Sequence, residues 1–138
     1  MFKKVKGLIA APYTPIKNNG EIDLNKISLY AEKLKKDSLS GVFICGTTGE
    51  GMFLTSNERK KIAEEWVKYQ SDDFKIIVHV GTTSVVQSSD LANHAQKIGA
   101  FGTSSIGPIF LKPNDINDIV DFCKIIADSA PEIPFYYY

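Results

Sequence analysis

The chain has 138 residues, enough for one domain with a hydrophobic core. Its sixteen basic and sixteen acidic side chains cancel, so no excess of charge indicates a nucleic acid or an anionic membrane surface as a partner. Apolar residues occur only in short runs, and the sequence therefore predicts no segment that spans a membrane.

Strand-like and helix-like segments alternate at a spacing of roughly thirty residues, which is typical of βα units. The first predicted strand covers residues 7–11 and is ended by prolines. The helix that follows begins near Asp23 and carries one apolar stripe, formed by Ile27, Tyr30, Ala31 and Leu34. Residues 42–45 form the second strand. Its helix opens with residues 55–58, Thr-Ser-Asn-Glu, which match a capping box.

The second half of the chain continues this alternation. Residues 75–80 predict a third strand, and a helix follows it. Residues 102–106 predict only a weak fourth strand, because its centre is a polar run of threonine and serine. The fourth helix has the clearest pattern, with apolar residues at positions 116, 119, 120, 123, 126 and 127. Residues 133–138 predict a fifth strand.

Parallel strands joined by crossover helices belong either to an open doubly wound sheet or to a (β/α)8 barrel. Four and a half units are slightly more than half of such a barrel. A chain that stops on three tyrosines in mid-strand would leave an unpaired edge. We therefore expect a single domain over residues 1–138 that is the N-terminal part of a longer α/β barrel protein, truncated after strand five. The alternative is a complete, non-catalytic half-barrel that acts as a binding or assembly module.

Residues 46–51, Gly-Thr-Thr-Gly-Glu-Gly, follow the second strand directly. The backbone N–H groups of such a turn converge, and the next helix adds its positive end, so the turn predicts an anion site. We expect its glycines to adopt positive φ and to let a ligand approach the backbone. Thr47 and Thr48 add donors that can relay a proton. The alternative is a plain βα turn whose threonines only cap the following helix.

The cysteines and histidines give weaker signals. Cys45 and Cys123 lie in apolar patterns, so both are predicted to be buried, reduced thiols of a cytoplasmic protein. His79, at the end of the third strand, could contact a substrate, but a hydrogen bond to neighbouring backbone is the favoured interpretation. His94 is predicted to lie on the surface or between helices. No third ligand has suitable spacing, so no metal site is predicted.

Four motifs occur in order along the whole chain: residues 7–15, 46–51, 56–59 and 134–138. Together they make the chain resemble the N-acetylneuraminate lyase and dihydrodipicolinate synthase superfamily, which are pyruvate-dependent aldolases on (β/α)8 TIM barrels. Within the superfamily, residues 79–81, residues 110–113 and the tyrosine triplet are most similar to the eukaryotic-type sialic acid lyases.

The resemblance implies cleavage of N-acetylneuraminate to N-acetylmannosamine and pyruvate through a lysine Schiff base, without a cofactor. It implies that Thr47 and Thr48 bind the substrate carboxylate and that Tyr138, with Thr48, moves the proton. The Schiff-base lysine would lie on a sixth strand. Lys75 and Lys112 are in unsuitable positions, so the 138-residue chain alone is expected to be inactive.

Other interpretations remain open beside this one. The tyrosine triplet could serve only for packing. The protein could be another pyruvate aldolase, acting on 2-keto-3-deoxy sugar acids, or a dihydrodipicolinate synthase. Phe110 stands where the synthases use a tyrosine, which counts against a synthase. The resemblance also implies a homotetramer, and the apolar loop of residues 109–111 is predicted to be buried against a partner copy.

Overall fold

The structure is a computed structural model that describes residues 4–138; residues 1–3 of the predicted domain lie outside this range. Within it, strands and helices alternate along the chain. The strands are β1 (Ile9–Ala10), β2 (Gly41–Ile44), β3 (Lys75–His79), β4 (Gly102–Ser105) and β5 (Phe135–Tyr137). The helices are α1 (Asn25–Lys36), α2 (Ser56–Val67), α3 (Val85–Lys97) and α4 (Ile116–Asp128), with a short 3₁₀ helix (Gly51–Phe53) before α2.

The strands form one parallel sheet in the order β1-β2-β3-β4-β5. Crossover connections between parallel strands are right-handed, so connections that always step in one direction place their helices on one face of the sheet. A doubly wound sheet reverses its strand order and carries helices on both faces. The sequential order therefore excludes the open sheet and confirms the predicted run of (β/α) barrel units.

The hydrophobic core lies between the sheet and its helices. Val42 on β2 and Ile76 on β3 are paired in register and fully buried, and both face the helices. Trp66 on α2 is also buried, and its ring centre lies 5.9 Å from that of Tyr30 on α1. Because side chains alternate along a strand, the intervening residues point into the interior of the barrel.

Two elements pack differently from what their patterns indicate. Every residue of β4, the strand predicted to be weak, is buried, so its position between β3 and β5 in the packed sheet outweighs its polar composition. In α4, the helix with the clearest apolar pattern, Ile126 is buried while Ile116 remains 66% exposed. The apolar face of α4, together with Phe135 and Tyr137, lines an open cavity of about 450 Å³. A periodic pattern predicts which face is apolar but not what covers it.

The predicted capping box of α2 is confirmed. The backbone N–H of Glu58 donates to Thr55 Oγ1 at 3.2 Å, and the backbone N–H of Thr55 donates to Glu58 Oε2 at 2.8 Å. These two bonds fix where α2 begins and therefore which residues of its first turn face the sheet. None of the helices within residues 4–138 combines the length and hydrophobicity needed to cross a membrane.

Candidate active site

Residues 46–51 form a compact turn at the carboxyl end of β2. The N–H of Glu50 donates to the carbonyl of Thr47 at 3.0 Å, and the N–H of Gly51 donates to the carbonyl of Gly46 at 3.1 Å. From the loop after β1, Thr14 Oγ1 donates to the carbonyl of Gly49 at 2.6 Å. In parallel-stranded barrels, active sites lie at this end of the sheet.

The backbone of the turn corrects one prediction. Its glycines do not supply the positive φ angles; these occur at Cys45, with φ 57°, and at Glu50, with φ 54°. Glycine is instead required by close packing, since a Cβ added to Gly46 would overlap the Phe43 ring. One added to Gly51 would overlap the Cys45 carbonyl oxygen. A left-handed residue other than glycine is strained and persists only where surrounding contacts hold it.

The threonines of the turn do not cap α2. The turn leads into the 3₁₀ helix Gly51–Phe53, and Thr55 is the residue that caps α2. The alternative that Thr47 and Thr48 only cap the following helix is therefore wrong. Thr47 is exposed and Thr48 is half-buried. The hydroxyl of Thr47 is thus available to a ligand at the open end of the sheet.

Tyr138 directly follows β5, an edge strand of the sheet, and reaches across to the turn. Its phenol donates a hydrogen bond to Thr47 Oγ1 at 3.3 Å, although 91 residues separate them. The Tyr138 ring centre lies 5.2 Å from that of Phe43 and 5.9 Å from that of His79, with its plane nearly perpendicular to the imidazole. The side chain is 52% exposed. The structure therefore brings Tyr138 and Thr47 together, with Thr48 next in the chain.

A buried cation lies behind the turn. Arg59, in the first turn of α2, is only 2% exposed. Its Nη1 donates to the carbonyl of Gly81 at 3.0 Å and its Nη2 to the carbonyl of His79 at 2.6 Å. Burial lowers the pKa of the Arg59 guanidinium.

The sequence interpretation missed Arg59, although a signal was present. Arg59 lies three, four and seven residues before Ile62, Ala63 and Trp66, all of which are buried on α2. It is therefore in phase with the apolar stripe of this helix. A positively charged residue on the apolar face of a helix indicates a buried charge that is hydrogen-bonded, rather than a solvated one.

His79 is also buried, and its ring bonds to the backbone. His79 Nε2 accepts a hydrogen bond from the N–H of Ile106 at 3.3 Å, which confirms the favoured interpretation of this residue. Burial, and secondarily the charge of Arg59, lower the pKa of His79 from 6.5 to about 4. The imidazole is therefore neutral at physiological pH.

Cys45 borders this cluster, whereas Cys123 and His94 lie away from it. Burial raises the pKa of the Cys45 thiol to about 11, with Arg59 acting weakly in the opposite direction. Cys123 is only half-buried, so the prediction of burial is correct for Cys45 alone. His94 Nε2 lies 2.8 Å from Glu64 Oε1, between α3 and α2 as predicted. Within residues 4–138, no three potential ligands come together as a metal site.

Comparison with known proteins adds independent information. The model of the dihydrodipicolinate synthetase family matches residues 4–138. Human N-acetylneuraminate lyase is 45% identical over 99% of this chain and 43% of its own length. The solved Proteus mirabilis N-acetylneuraminate lyase superposes with a TM-score of 0.94 at 40% identity, over 99% of this chain and 46% of that one.

A more distant structure is also informative. A prophage protein of the dihydrodipicolinic acid synthase family from E. coli K12, solved in complex with pyruvate, has a TM-score of 0.88 and 27% identity. The match covers 96% of this chain and 44% of that protein. The chain thus spans less than half the length of each of these relatives.

Proposed function

This chain belongs to the dihydrodipicolinate synthetase family, and on that basis we propose that the protein containing it is a pyruvate-dependent aldolase. The hydrogen bond between Tyr138 and Thr47 is the observation that carries this proposal. It joins a proton-transfer group to an anion-binding turn at the end of the sheet where barrel enzymes hold their substrates. The pyruvate complex of the E. coli K12 protein supports pyruvate as the common ligand.

We propose N-acetylneuraminate as the substrate, cleaved to N-acetylmannosamine and pyruvate. The support is the 45% identity with the human lyase and the 0.94 TM-score with the Proteus mirabilis lyase. Phe110, which has no hydroxyl and is 85% exposed in the loop after β4, counts against a synthase. A 2-keto-3-deoxy sugar acid is the alternative substrate.

The turn and the tyrosine have different roles in this reaction. The hydroxyls of Thr47 and Thr48 and the N–H groups of the turn bind the carboxylate of the keto acid. When the carbon–carbon bond breaks, the electron pair passes to an iminium formed with a lysine, and a hydroxyl of the departing sugar loses its proton. Tyr138 accepts that proton as its own phenolic proton moves on through the hydroxyl of Thr48, and the enamine carbon left by cleavage is protonated in turn before pyruvate is released.

The Schiff-base lysine is proposed to lie on a strand that follows Tyr138 in the full-length protein. Lys75 begins β3, at the opposite end of the sheet, and its ammonium lies over the Phe101 ring, 5.2 Å from the centroid. Lys112 is exposed in the loop after β4. We therefore expect residues 1–138 alone to be inactive.

The decisive experiment is a turnover assay of the full-length protein. We expect N-acetylneuraminate to release pyruvate, and borohydride to trap a covalent adduct between the protein and pyruvate. Activity on a 2-keto-3-deoxy sugar acid without activity on N-acetylneuraminate would replace the substrate but keep the aldolase. Absence of both activities and of trapping would refute the proposed function.

We further propose a cytoplasmic homotetramer. Ile109, Phe110 and Leu111 are 46%, 85% and 75% exposed in the loop after β4, and a contiguous apolar loop of this kind is better buried by a partner copy than hydrated. Cys45 and Cys123 are both free thiols, as expected in a reducing compartment. Sedimentation of the full-length protein as a monomer at micromolar concentration would contradict the tetramer.

A further inference from the structure

We propose that Arg59 and His79 are positioning residues, which hold the turn of residues 46–51 and the ring of Tyr138 in their relative orientation. Neither residue is proposed to touch the substrate, because both are almost completely buried. The inference rests on the proposed function, since the geometry that they maintain is that of the proposed site.

Burying the Arg59 guanidinium costs desolvation free energy, and packing of α2 alone does not explain why a charged residue stands at this position. Within the described part of the chain, no carboxylate lies at salt-bridge distance from its guanidinium. An unpaired buried cation is unfavourable, and an apolar side chain would continue the stripe of α2 without that penalty. The guanidinium instead bonds two carbonyl groups, those of His79 and Gly81, where β3 ends. It therefore fixes the path of the chain as it leaves β3.

His79 connects the ends of three neighbouring strands. Its backbone ends β3, its Nε2 accepts from the N–H of Ile106 after β4, and its ring centre lies 5.8 Å from that of Phe43 on β2. Because the N–H of Ile106 can only donate, the neutral ring carries its proton on Nδ1. Arg59 Nη2 also lies 3.4 Å from Nδ1, which places the guanidinium directly beside the imidazole.

The end of β2, which His79 contacts through the Phe43 ring, is a sensitive position because the Phe43 ring also lies against Gly46 of the turn. Cys45 has a left-handed backbone, with φ 57°, and it directly precedes the turn that carries Thr47 and Thr48. Such a conformation is strained in a residue other than glycine and depends on the contacts around it. A change at His79 is therefore expected to alter the direction in which the turn projects its threonines.

The same imidazole also contacts Tyr138. Its ring centre lies 5.9 Å from the tyrosine ring in an edge-to-face arrangement, and the Phe43 ring lies against both. Edge-to-face pairs prefer a defined orientation. His79 thus contacts Tyr138 and also Phe43, whose ring lies against Gly46 of the turn, and we expect the Tyr138–Thr47 hydrogen bond to depend on both contacts.

The test compares His79→Gln with His79→Leu in the full-length protein. Glutamine keeps polar atoms with a similar reach, whereas leucine fills the space without hydrogen bonds. If His79 positions the site, His79→Leu raises the KM for N-acetylneuraminate by about tenfold or more, and His79→Gln recovers most of that loss. Borohydride trapping with pyruvate should show the same order. Assays are made at a temperature where far-UV circular dichroism shows every variant to be folded.

His94→Gln is the matched control. His94 is the other histidine of the sequence, lies on α3 and bonds only to Glu64 at the surface, so its replacement should leave KM and kcat unchanged. Arg59→Lys provides a second measurement that does not alter His79. An ammonium cannot bond both carbonyls in the forked geometry of a guanidinium, so a smaller rise in KM in the same direction is expected.

The outcomes of these experiments distinguish a failure of the positioning role of His79 from a failure of the proposed aldolase function. An active wild-type protein in which His79→Leu leaves KM unchanged, or in which leucine performs as well as glutamine, would overturn the positioning role alone. A loss of thermal stability in both His79 variants without a change in KM would do the same, because it would reduce His79 to packing. A wild-type protein without turnover or trapping would overturn the proposed function, and this inference with it.

Discussion

The two sides of the candidate site are built in opposite ways. On the β2–β3 side, Cys45, Arg59 and His79 are all nearly inaccessible, and hydrogen bonds from α2 and from the end of β4 hold the strand ends. On the β5 side, Tyr138 is half exposed, and its phenol makes one hydrogen bond, of 3.3 Å, to Thr47. We call these the buried side and the exposed side.

The proposed function assigns anion binding to the packed side of the site and proton transfer to the open side. The turn on the buried side is held before any ligand arrives, which lowers the cost of ordering it on binding. The tyrosine on the exposed side keeps access to solvent and to a substrate. Four predictions test this contrast, beginning with the largest expected effect.

The buried side should carry most of the stability. Trp66→Ala removes a fully buried ring from α2, the helix that carries Arg59, and is expected to lower the free energy of unfolding by about 3–5 kcal/mol. Val86→Ala, at an exposed apolar position of α3, should change it by about 0.5 kcal/mol or less. Denaturant unfolding of the full-length variants measures both. Equal losses in the two variants would contradict the contrast between packed and open surfaces.

The buried side should also make the free energy of unfolding decrease at acidic pH. The folded-state pKa of His79 is lowered to about 4 from 6.5, so the folded protein favours the neutral ring. The contribution is fully present above pH 6.5 and is lost as the pH falls towards 4, by at most about 3 kcal/mol. Unfolding free energies measured at several pH values should therefore fall less steeply in His79→Gln. An identical slope in both proteins would show that another group controls the acid limit.

On the exposed side, the effect should be on chemistry rather than on stability. Tyr138→Phe keeps the ring but removes the hydroxyl, so kcat should fall by about a hundredfold, which corresponds to roughly 2.7 kcal/mol of barrier. Borohydride trapping with pyruvate should remain largely intact. Steady-state kinetics of the full-length variant provide the measurement, and a near-normal kcat would mean that Tyr138 serves only for packing.

The smallest effect is expected at the turn itself. Thr47→Ala removes a donor used in both the ground and the transition state, so the KM for pyruvate-type ligands should rise by about tenfold with little change in kcat. Thr48→Ala, the adjacent change, should instead lower kcat if its hydroxyl belongs to the relay. Kinetics in which the two variants behave alike would remove the distinction between binding and relay.

Much of this arrangement could be predicted from the sequence because it depends on local patterns. The β-branched runs and the Thr55–Glu58 capping box determine where elements begin, and the motif at residues 46–51 identifies the turn. The left-handed backbone of Cys45 and Glu50 was not predictable, because tertiary contacts impose it on residues that rarely adopt it.

Burial of polar residues was the other failure of prediction. Arg59 stands in a run with Lys60 and Lys61, a composition that is typical of a solvated helix face, although its position in the helix matches the apolar stripe. The serines and threonine of β4 are buried because both neighbouring strands enclose them. Both cases depend on partners distant in the chain, which a single-sequence pattern does not contain.

The buried thiol of Cys45 also provides a chemical probe of local opening at the end of β2. With 2% exposure and a pKa of about 11, it reacts with an alkylating reagent at neutral pH only when the end of β2 opens transiently. Cys123, on the more accessible α4, should be modified first. The rate of the slower modification, at Cys45, then measures how often the end of β2 opens. A keto acid bound to the turn should lower that rate.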